Sequence, residues 1–213
     1  IARRIREFQV YCEIHPFHLA FEKIREFGAK AIILSGGPAS VLESGAPTID
    51  PKIFDLGLPI LGICYGMQLI TQLLGGKLGR ATHREYGRST FNLVNKCQLF
   101  KGIPDASQVW MSHGDSILEL PPNFVKSGDS SNAPFAAMAN TARQLYALQF
   151  HPEVVHSEHG STILKNFVFG IANCNADWNM SNFVEREVAR LKAQIGSERV
   201  LCAVSGGVDS TVT

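Results

Sequence analysis

Cys64 stands in a setting typical of a nucleophile on a turn between a strand and a helix. It lies between Gly62 and Gly66, after an apolar run at 58–63 and before a run with apolar residues at helical spacing. Small residues are needed on both sides of such a turn, because larger side chains would collide with the strained backbone. The positive end of the following helix would favour the thiolate. We therefore predict a nucleophilic Cys64, with a buried structural cysteine as the alternative.

His151 and Glu153 supply the two groups that a thiolate nucleophile needs. An imidazole beside the sulfur holds the ion pair, and a carboxylate orients the imidazole. The two residues are separated only by Pro152, which restricts the backbone, and they follow an apolar run at 145–148. A loop histidine stacked on proline is the alternative for this pair by itself. Together with Cys64, the pair predicts a Cys-His-Glu triad.

Two loops rich in glycine each follow an apolar run. Residues 35–38 (Ser-Gly-Gly-Pro) follow the predicted strand 31–34, and the glycines let backbone N–H groups approach a ligand closely. Residues 205–210 follow the predicted strand 199–204 and precede a predicted helix, a context in which N–H groups bind phosphate. No Gly-Lys-Ser/Thr follows, so this is not a Walker A loop. We predict a phosphate site there, with a plain turn as the alternative.

The remaining histidines carry weaker signals. His113 lies in the segment 110–115, which we interpret as a turn after a strand, and it either lines the crevice or has a structural role. His156, Glu158 and His159 are close in sequence, but no further cluster of cysteine or histidine supports a metal site. No metal is therefore predicted.

The elements that position these residues predict an α/β fold. Strands alternate with helices in the first part, which is typical of an open, mostly parallel sheet with helices on both faces. The carboxyl ends of its strands would bring residues 35–38 and Cys64 to one crevice. In this part a helix is predicted at 1–7 and a strand at 8–14. A helix with apolar residues at 17, 21, 24 and 27 follows, and then strands at 31–34 and 58–63. Short β-like pieces at 89–94, 108–111, 136–139 and 145–150 predict an antiparallel extension, and a helix follows at 160–172.

A second α/β domain begins near the end of the chain. Residues 173–179 are polar and without pattern, so they are predicted to be a linker. A helix then carries an apolar stripe at 184, 188, 191 and 195 and ends at Gly196. The predicted domains are 1–174 and 175–213. A helix opens the chain with no strand before it, so we expect a piece of a longer protein.

Composition excludes several classes of partner. The chain has 213 residues, 45% hydrophobic and 18% charged, with a net charge of +1, which does not favour nucleic acid or an anionic membrane. Neither a run of 18 apolar residues nor a signal-peptide pattern occurs, so no membrane span or export is predicted. Five scattered cysteines without Cys-x-x-Cys favour a reducing, cytoplasmic compartment.

Five segments carry a resemblance to a known family. Residues 61–68, 35–38 and 149–153 resemble the nucleophile, oxyanion and His/Glu motifs of class I glutamine amidotransferases, and they occur in the family's order. Residues 110–115 resemble the GMP synthase branch of that family. Residues 205–210 resemble the pyrophosphate loop of the ATP pyrophosphatase domain that follows in that branch. We expect three parts of the family's pattern to lie outside this sequence: its first strand, most of its synthetase domain, and its dimerisation domain.

The resemblance implies a role for each matching residue. Cys64 would be the nucleophile, His151 the general base and acid, and Glu153 its orienting partner. The N–H groups of Gly37 and Tyr65 would form the oxyanion hole. The residues implied to hold glutamine are Gln68, Ser112, His113 and Gly114. The residues implied to bind ATP are Ser205, Gly206, Gly207, Val208, Asp209, Ser210 and Thr211.

The resemblance also implies a reaction and its partners. Glutamine would be hydrolysed to glutamate without a cofactor, and the ammonia would pass to the synthetase domain. There ATP and magnesium would adenylylate xanthosine monophosphate (XMP), and ammonia would displace AMP to give GMP. A homodimer through a C-terminal domain is implied as well.

The sequence is also compatible with two other functions. A free-standing cysteine hydrolase such as a γ-glutamyl hydrolase would lack the loop at 205–210. A docking or regulatory module with a degenerate site would not need all three triad positions filled.

Overall fold

The computed structural model describes residues 1–201, apart from the side chains of 81–84, 180–182 and 186. The chain divides into two units, Ile1–Ala176 and Asp177–Thr213. The predicted domain boundary at 174/175 lies close to this division. The predicted phosphate loop at 205–211 lies outside the described residues.

The first unit contains seven strands within the described residues and four α-helices. The strands are β1 (Ile32–Leu34), β2 (Ile60–Ile63), β3 (Lys77–Leu93), β4 (Ala106–Glu119), β5 (Val125–Asp129), β6 (Ala137–Asn140) and β7 (Leu145–Leu148). The α-helices are α1 (Ala2–Glu7), α2 (Phe21–Phe27), α3 (Tyr65–Leu73) and α4 (Gly160–Lys165), and α4 continues as a π-helix over Asn166–Ile171. Short 3₁₀ helices occupy Pro51–Asp55, Gln98–Phe100 and Thr141–Arg143.

The strands form one sheet in the order β1-β2-β7-β6-β5-β3-β4. β1, β2 and β7 are parallel, and β6, β5, β3 and β4 continue the sheet with antiparallel pairs. The predicted α/β fold, with a parallel part and an antiparallel extension, is confirmed. The extension contains more strands than the parallel part, and it brings β4 to one edge of the sheet.

Helices cover both faces of the parallel part, as predicted. On one face Leu61 and Ile63 pack in a core with Leu164 and Phe167, from α4 and the π-helix. On the other face Ile60 packs with α3 residues, among them Met67. Since alternate residues of a strand point to opposite faces, β2 is buried on both sides, and its four residues are all buried.

Residues 8–14 do not form the predicted strand. The N–H groups of Phe8 and Val10 donate to Ile5 O (3.1 and 3.4 Å), and that of Gln9 donates to Arg6 O (2.9 Å). Gln9 also has a φ of 60°, which is outside the β region. The N–H groups of residues 8–10 are therefore used at the end of α1 and not in a sheet.

Two other boundaries differ from their predictions. The predicted helix with apolar residues from 17 to 27 begins at Phe21, and it ends at Gly28, which adopts a φ of 66°. The pieces predicted at 89–94 and 108–111 are parts of β3 and β4, and the segment 110–115 lies inside β4 rather than in a turn.

The second unit contains one helix within the described residues. This helix, α5 (Met180–Ile195), was predicted, and Gly196 ends it with a φ of 58°. Residues 199–201 of the predicted strand 199–204 have no regular structure, and the rest of that strand lies outside the described range. Across the described chain, no helix is both long and apolar enough to cross a membrane.

Candidate active site

Cys64 occupies a strained turn between β2 and α3. Its φ and ψ are 51° and −106°, which is a costly conformation for a residue with a Cβ. Its N–H donates to Leu148 O at 2.7 Å, and its carbonyl accepts the first helical bonds from Met67 N (3.0 Å) and Gln68 N (3.2 Å). The turn therefore fixes the side chain at the carboxyl end of β2.

The glycines beside Cys64 are required by close backbone contacts. A Cβ on Gly62 would lie 2.7 Å from the backbone of Gly66, and a Cβ on Gly66 would lie 2.2 Å from Leu34 O. Real Cβ atoms essentially never approach so closely. The small residues let α3 pack directly on β1 and β2, and this gives a physical reason for the Gly-x-Cys-x-Gly spacing.

The thiol of Cys64 is buried and surrounded by polar groups from three segments. It donates to Ser112 O at 3.3 Å, and Gln149 Nε2 lies 3.8 Å from the sulfur. The His151 ring lies beside it, because a Cβ on Gly36 would be 3.0 Å from His151 Cε1 and 3.5 Å from Cys64 Cβ. The residue is only 4% exposed. The sulfur thus lies where β2, β4 and the turn after β7 meet.

His151 lies between Cys64 and Glu153. Its Nδ1 donates to Glu153 Oε1 at 2.9 Å, which leaves Nε2 for the sulfur. The hydrogen bonds with Cys64 and then with Glu153 raise the pKa of His151 from 6.5 to about 10, although burial opposes the shift. Burial raises the pKa of the Glu153 carboxyl, but the hydrogen bond and charge of His151 outweigh it and the net pKa is lowered. The arrangement favours an imidazolium beside the sulfur.

Sequence reasoning missed the groups that hold the His151 turn against β4. His151 N donates to Trp110 O at 3.0 Å. Ser157 Oγ donates to His151 O at 2.6 Å and accepts from Trp110 N at 3.1 Å. Glu158 exchanges two more bonds with the backbone of Gln108, at 3.1 and 3.2 Å. The segment 151–158 therefore pairs with the free edge of β4.

The predicted oxyanion residues lie next to Cys64. A Cβ on Gly36 would lie 3.0 Å from His151 Cε1 and 3.5 Å from Cys64 Cβ, so this loop passes close to both residues. A Cβ on Gly37 would lie 3.9 Å from Tyr65 Cγ. The Tyr65 hydroxyl donates to Pro47 O, and its N–H belongs to the first turn of α3, where amides have no intrahelical acceptor.

The residues predicted to hold glutamine divide into two groups. Gln68 is buried on α3 and donates to Asp115 O at 3.4 Å, and Ser112 contacts the thiol through its carbonyl. His113 and Gly114 follow in β4, where neighbouring side chains point to opposite faces. The His113 ring is 1% exposed and is engaged by Asp115 O and by Glu85 of β3, so it is not directed at the sulfur.

An open polar cavity of about 800 Å³ lies against β3 and β4. None of the predicted catalytic residues lines it. Its lining residues include Glu85, Arg88, Ser89, Gln108, Asp129 and Ser130.

Comparison with known proteins gives the context of this site. The family model described as glutamine amidotransferase class-I matches residues 1–171. GMP synthases (glutamine-hydrolysing) of Bacillus cereus and Heliobacterium modesticaldum are 55% and 53% identical to this chain over 212 residues. These matches cover 100% of this chain and 41% of each relative, so the chain spans less than half of their length.

Solved structures agree with these matches. A protein from Thermoplasma acidophilum, described as one subunit of a GMP synthase, has a TM-score of 0.70 and 31% identity, covering 88% of this chain and 89% of that one. A glutamine amidotransferase from Thermotoga maritima, with a TM-score of 0.53 and 23% identity over 77% of this chain and 74% of its own, shares the fold. The chain belongs to the class I glutamine amidotransferase family.

Proposed function

We propose that this protein hydrolyses the side-chain amide of glutamine and releases ammonia. One observation carries the proposal: Cys64, on its strained turn, lies beside the His151 ring, and that ring is hydrogen-bonded to Glu153 at 2.9 Å. The three groups match the requirements of an activated thiolate, namely a nucleophile, a proton carrier and an orienting carboxylate.

In the first half of the reaction, the Cys64 thiolate attacks the amide carbon of glutamine. Negative charge develops on the amide oxygen, where the N–H groups of Gly37 and Tyr65 stabilise it. The His151 imidazolium gives its proton to the amide nitrogen. The carbon–nitrogen bond then breaks, ammonia leaves, and a glutamyl thioester remains on Cys64.

In the second half, water hydrolyses the thioester. His151, now neutral, takes a proton from the water as its oxygen attacks the thioester carbon. The carbon–sulfur bond breaks, and the thiolate is restored beside the imidazolium. The net change is glutamine and water to glutamate and ammonia, and it needs no metal or redox cofactor.

We also propose that Gln68 and the backbone of Ser112 and Gly114 hold the amino-acid part of glutamine. Support comes from the position of Ser112 at the sulfur and of Gln68 on the helix that starts at Cys64. Residues 112–114 belong to the strand at the edge of the sheet, where backbone groups can face a ligand.

Ammonia from this site would serve a synthetase domain in the same protein. This part of the proposal rests on the relatives that match the whole of this chain, which are named GMP synthase. Residues 175–213 would begin an ATP pyrophosphatase domain, with Ser205–Thr211 on the phosphates of ATP. That domain would also use Mg²⁺. XMP would be the acceptor, and the protein would be a cytoplasmic homodimer. A free-standing γ-glutamyl hydrolase is not favoured by these relatives.

The test is substitution of Cys64 by alanine in the full-length protein. Glutamate release should vanish, while synthesis of GMP from XMP, ATP and an ammonium salt should continue. Cys12→Ala is the matched control, because Cys12 is a partly buried cysteine whose thiol contacts Ala2 O at 3.5 Å. Glutaminase activity that survives Cys64→Ala would overturn the proposal, and so would loss of both activities in a folded variant.

A further inference from the structure

A buried ionisable pair joins β3 to β4 outside the triad. His113 Nε2 lies 3.3 Å from Glu85 Oε2, and the two side chains are 1% and 7% exposed. The other ring nitrogen, Nδ1, donates to Asp115 O at 3.0 Å, since a carbonyl can only accept. Both ring nitrogens are therefore committed within the protein.

The carboxylate of Glu85 is also held by two hydroxyls. Ser89 Oγ donates to its Oε1 at 2.6 Å, and Ser130 Oγ lies 3.1 Å from Oε2 and 3.2 Å from Oε1. Ser130 in turn accepts from Ala133 N at 3.1 Å. A buried carboxylate is costly unless its oxygens are bonded, and here both are.

This pair lies next to one of two points where the β3/β4 pairing changes register. Arg80 pairs with Asp115, and the next pair is Glu85 with His113, so the ladder is irregular between Arg80 and Glu85. Regular pairing resumes at Glu85–His113 and continues to Asn92–Ala106. A slip of one residue would turn every side chain of β4 to its other face. Buried polar groups are known to fix register in coiled coils, and we apply the same reasoning to this strand pair.

The register of β4 decides which of its backbone groups lie beside the sulfur. Ser112 and Gly114 flank His113 in β4, and the carbonyl of Ser112 accepts a hydrogen bond from the Cys64 thiol at 3.3 Å. We propose that Glu85 is a positioning residue: through His113 it fixes β4 so that the backbone of Ser112 and Gly114 meets glutamine beside Cys64. This inference rests on the proposed glutaminase function. Under this inference His113 helps to position the backbone of β4, and its ring does not contact glutamine.

The proposal predicts a separation between substrate binding and thiol chemistry. In the full-length protein, Glu85→Gln removes the charge at constant shape and turns one acceptor into a donor. The KM for glutamine should rise roughly tenfold, which corresponds to loss of one hydrogen bond to a charged group. Because the Cys64 turn is held by β2, α3 and the bond of its N–H to Leu148 O, and not by Glu85, kcat should stay within about threefold and the rate of Cys64 alkylation by iodoacetamide should be unchanged.

The matched control is Glu119→Gln. Glu119 belongs to the same strand pair and bonds Lys77 at 2.6 Å, but its side chain is 60% exposed. It should leave both KM and the alkylation rate at the wild-type values.

Two results would overturn the inference. One is a KM in Glu85→Gln equal to that in Glu119→Gln. The other is a parallel fall in kcat and in the alkylation rate, which would indicate general disruption of the fold. Absence of glutaminase activity in the wild-type protein would instead overturn the proposed function, and the inference with it.

Discussion

Replacing Gly36 with alanine is a stringent test of how the His151 ring is placed. The added Cβ would lie 3.0 Å from His151 Cε1 and 3.5 Å from Cys64 Cβ. The first distance is shorter than an ordinary van der Waals contact, which begins at about 3.4 Å. The ring therefore has to move by several tenths of an ångström from the position that it holds beside Cys64.

The expected magnitude follows from this displacement. A misplacement of about 1 Å costs roughly 100-fold in rate, so a shift of about half that size should lower kcat/KM roughly tenfold. The methyl group should cost only about 1 kcal/mol of folding free energy, because the crowded atom belongs to one side chain and not to the backbone. The tenfold loss of kcat/KM would not come from unfolding, because a domain destabilised by about 1 kcal/mol stays almost entirely folded.

The assay is glutamate release by the full-length protein, measured with GMP synthesis from ammonium salt and with urea unfolding. Gly37→Ala is the comparison, since its Cβ would meet Tyr65 Cγ at an ordinary 3.9 Å and alanine keeps the N–H group. Its loss of kcat/KM should be clearly smaller than that of Gly36→Ala. The reasoning fails if the two variants lose the same activity, or if Gly36→Ala stays within about twofold of wild type.

Two further predictions concern stability. The pKa of His151 is raised from 6.5 to about 10, so its stabilising contribution is complete below pH 6.5 and is lost as the pH rises through 10. The difference in free energy of unfolding between wild type and His151→Gln should shrink over that range, and a difference independent of pH would contradict this. Gly66→Ala would place a Cβ 2.2 Å from Leu34 O and should cost about 3 kcal/mol by urea unfolding. Gly28→Ala, at a φ of 66° in open space, should cost only about 1 kcal/mol, and equal costs would refute the packing argument.

The parts of this molecule that local sequence encodes were predictable. The turn at Cys64 follows from an apolar strand, two glycines and a helical run, all within a short segment. His151 and Glu153 are neighbours in sequence, so their hydrogen bond needed no knowledge of the fold. Their approach to Cys64 depends on β7 lying parallel to β2, whereas the sequence predicts the piece 145–150 as part of the antiparallel extension.

The parts that depend on distant pairing were not predictable. Ser157 bonds Trp110 across 47 positions of the chain, and no local pattern marks it. The direction of the His113 ring depends on a register that includes an irregularity in β3. Glycines at 79, 87 and 114 interrupt the β-like pattern of β3 and β4, so these strands were predicted too short and residues 110–115 were interpreted as a turn.

The pairing of residues 151–158 with β4 has a consequence for solubility. β4 is the last strand of the sheet, and an uncovered edge strand is a template for joining another chain. The backbone of Gln108 and Trp110 on that edge is occupied by the same segment that carries the imidazole. Detachment of this segment would expose the edge of β4 to pairing with another chain, and it would also remove His151 from the triad. Protection against self-association and the placement of the base are thus tied to one stretch of chain.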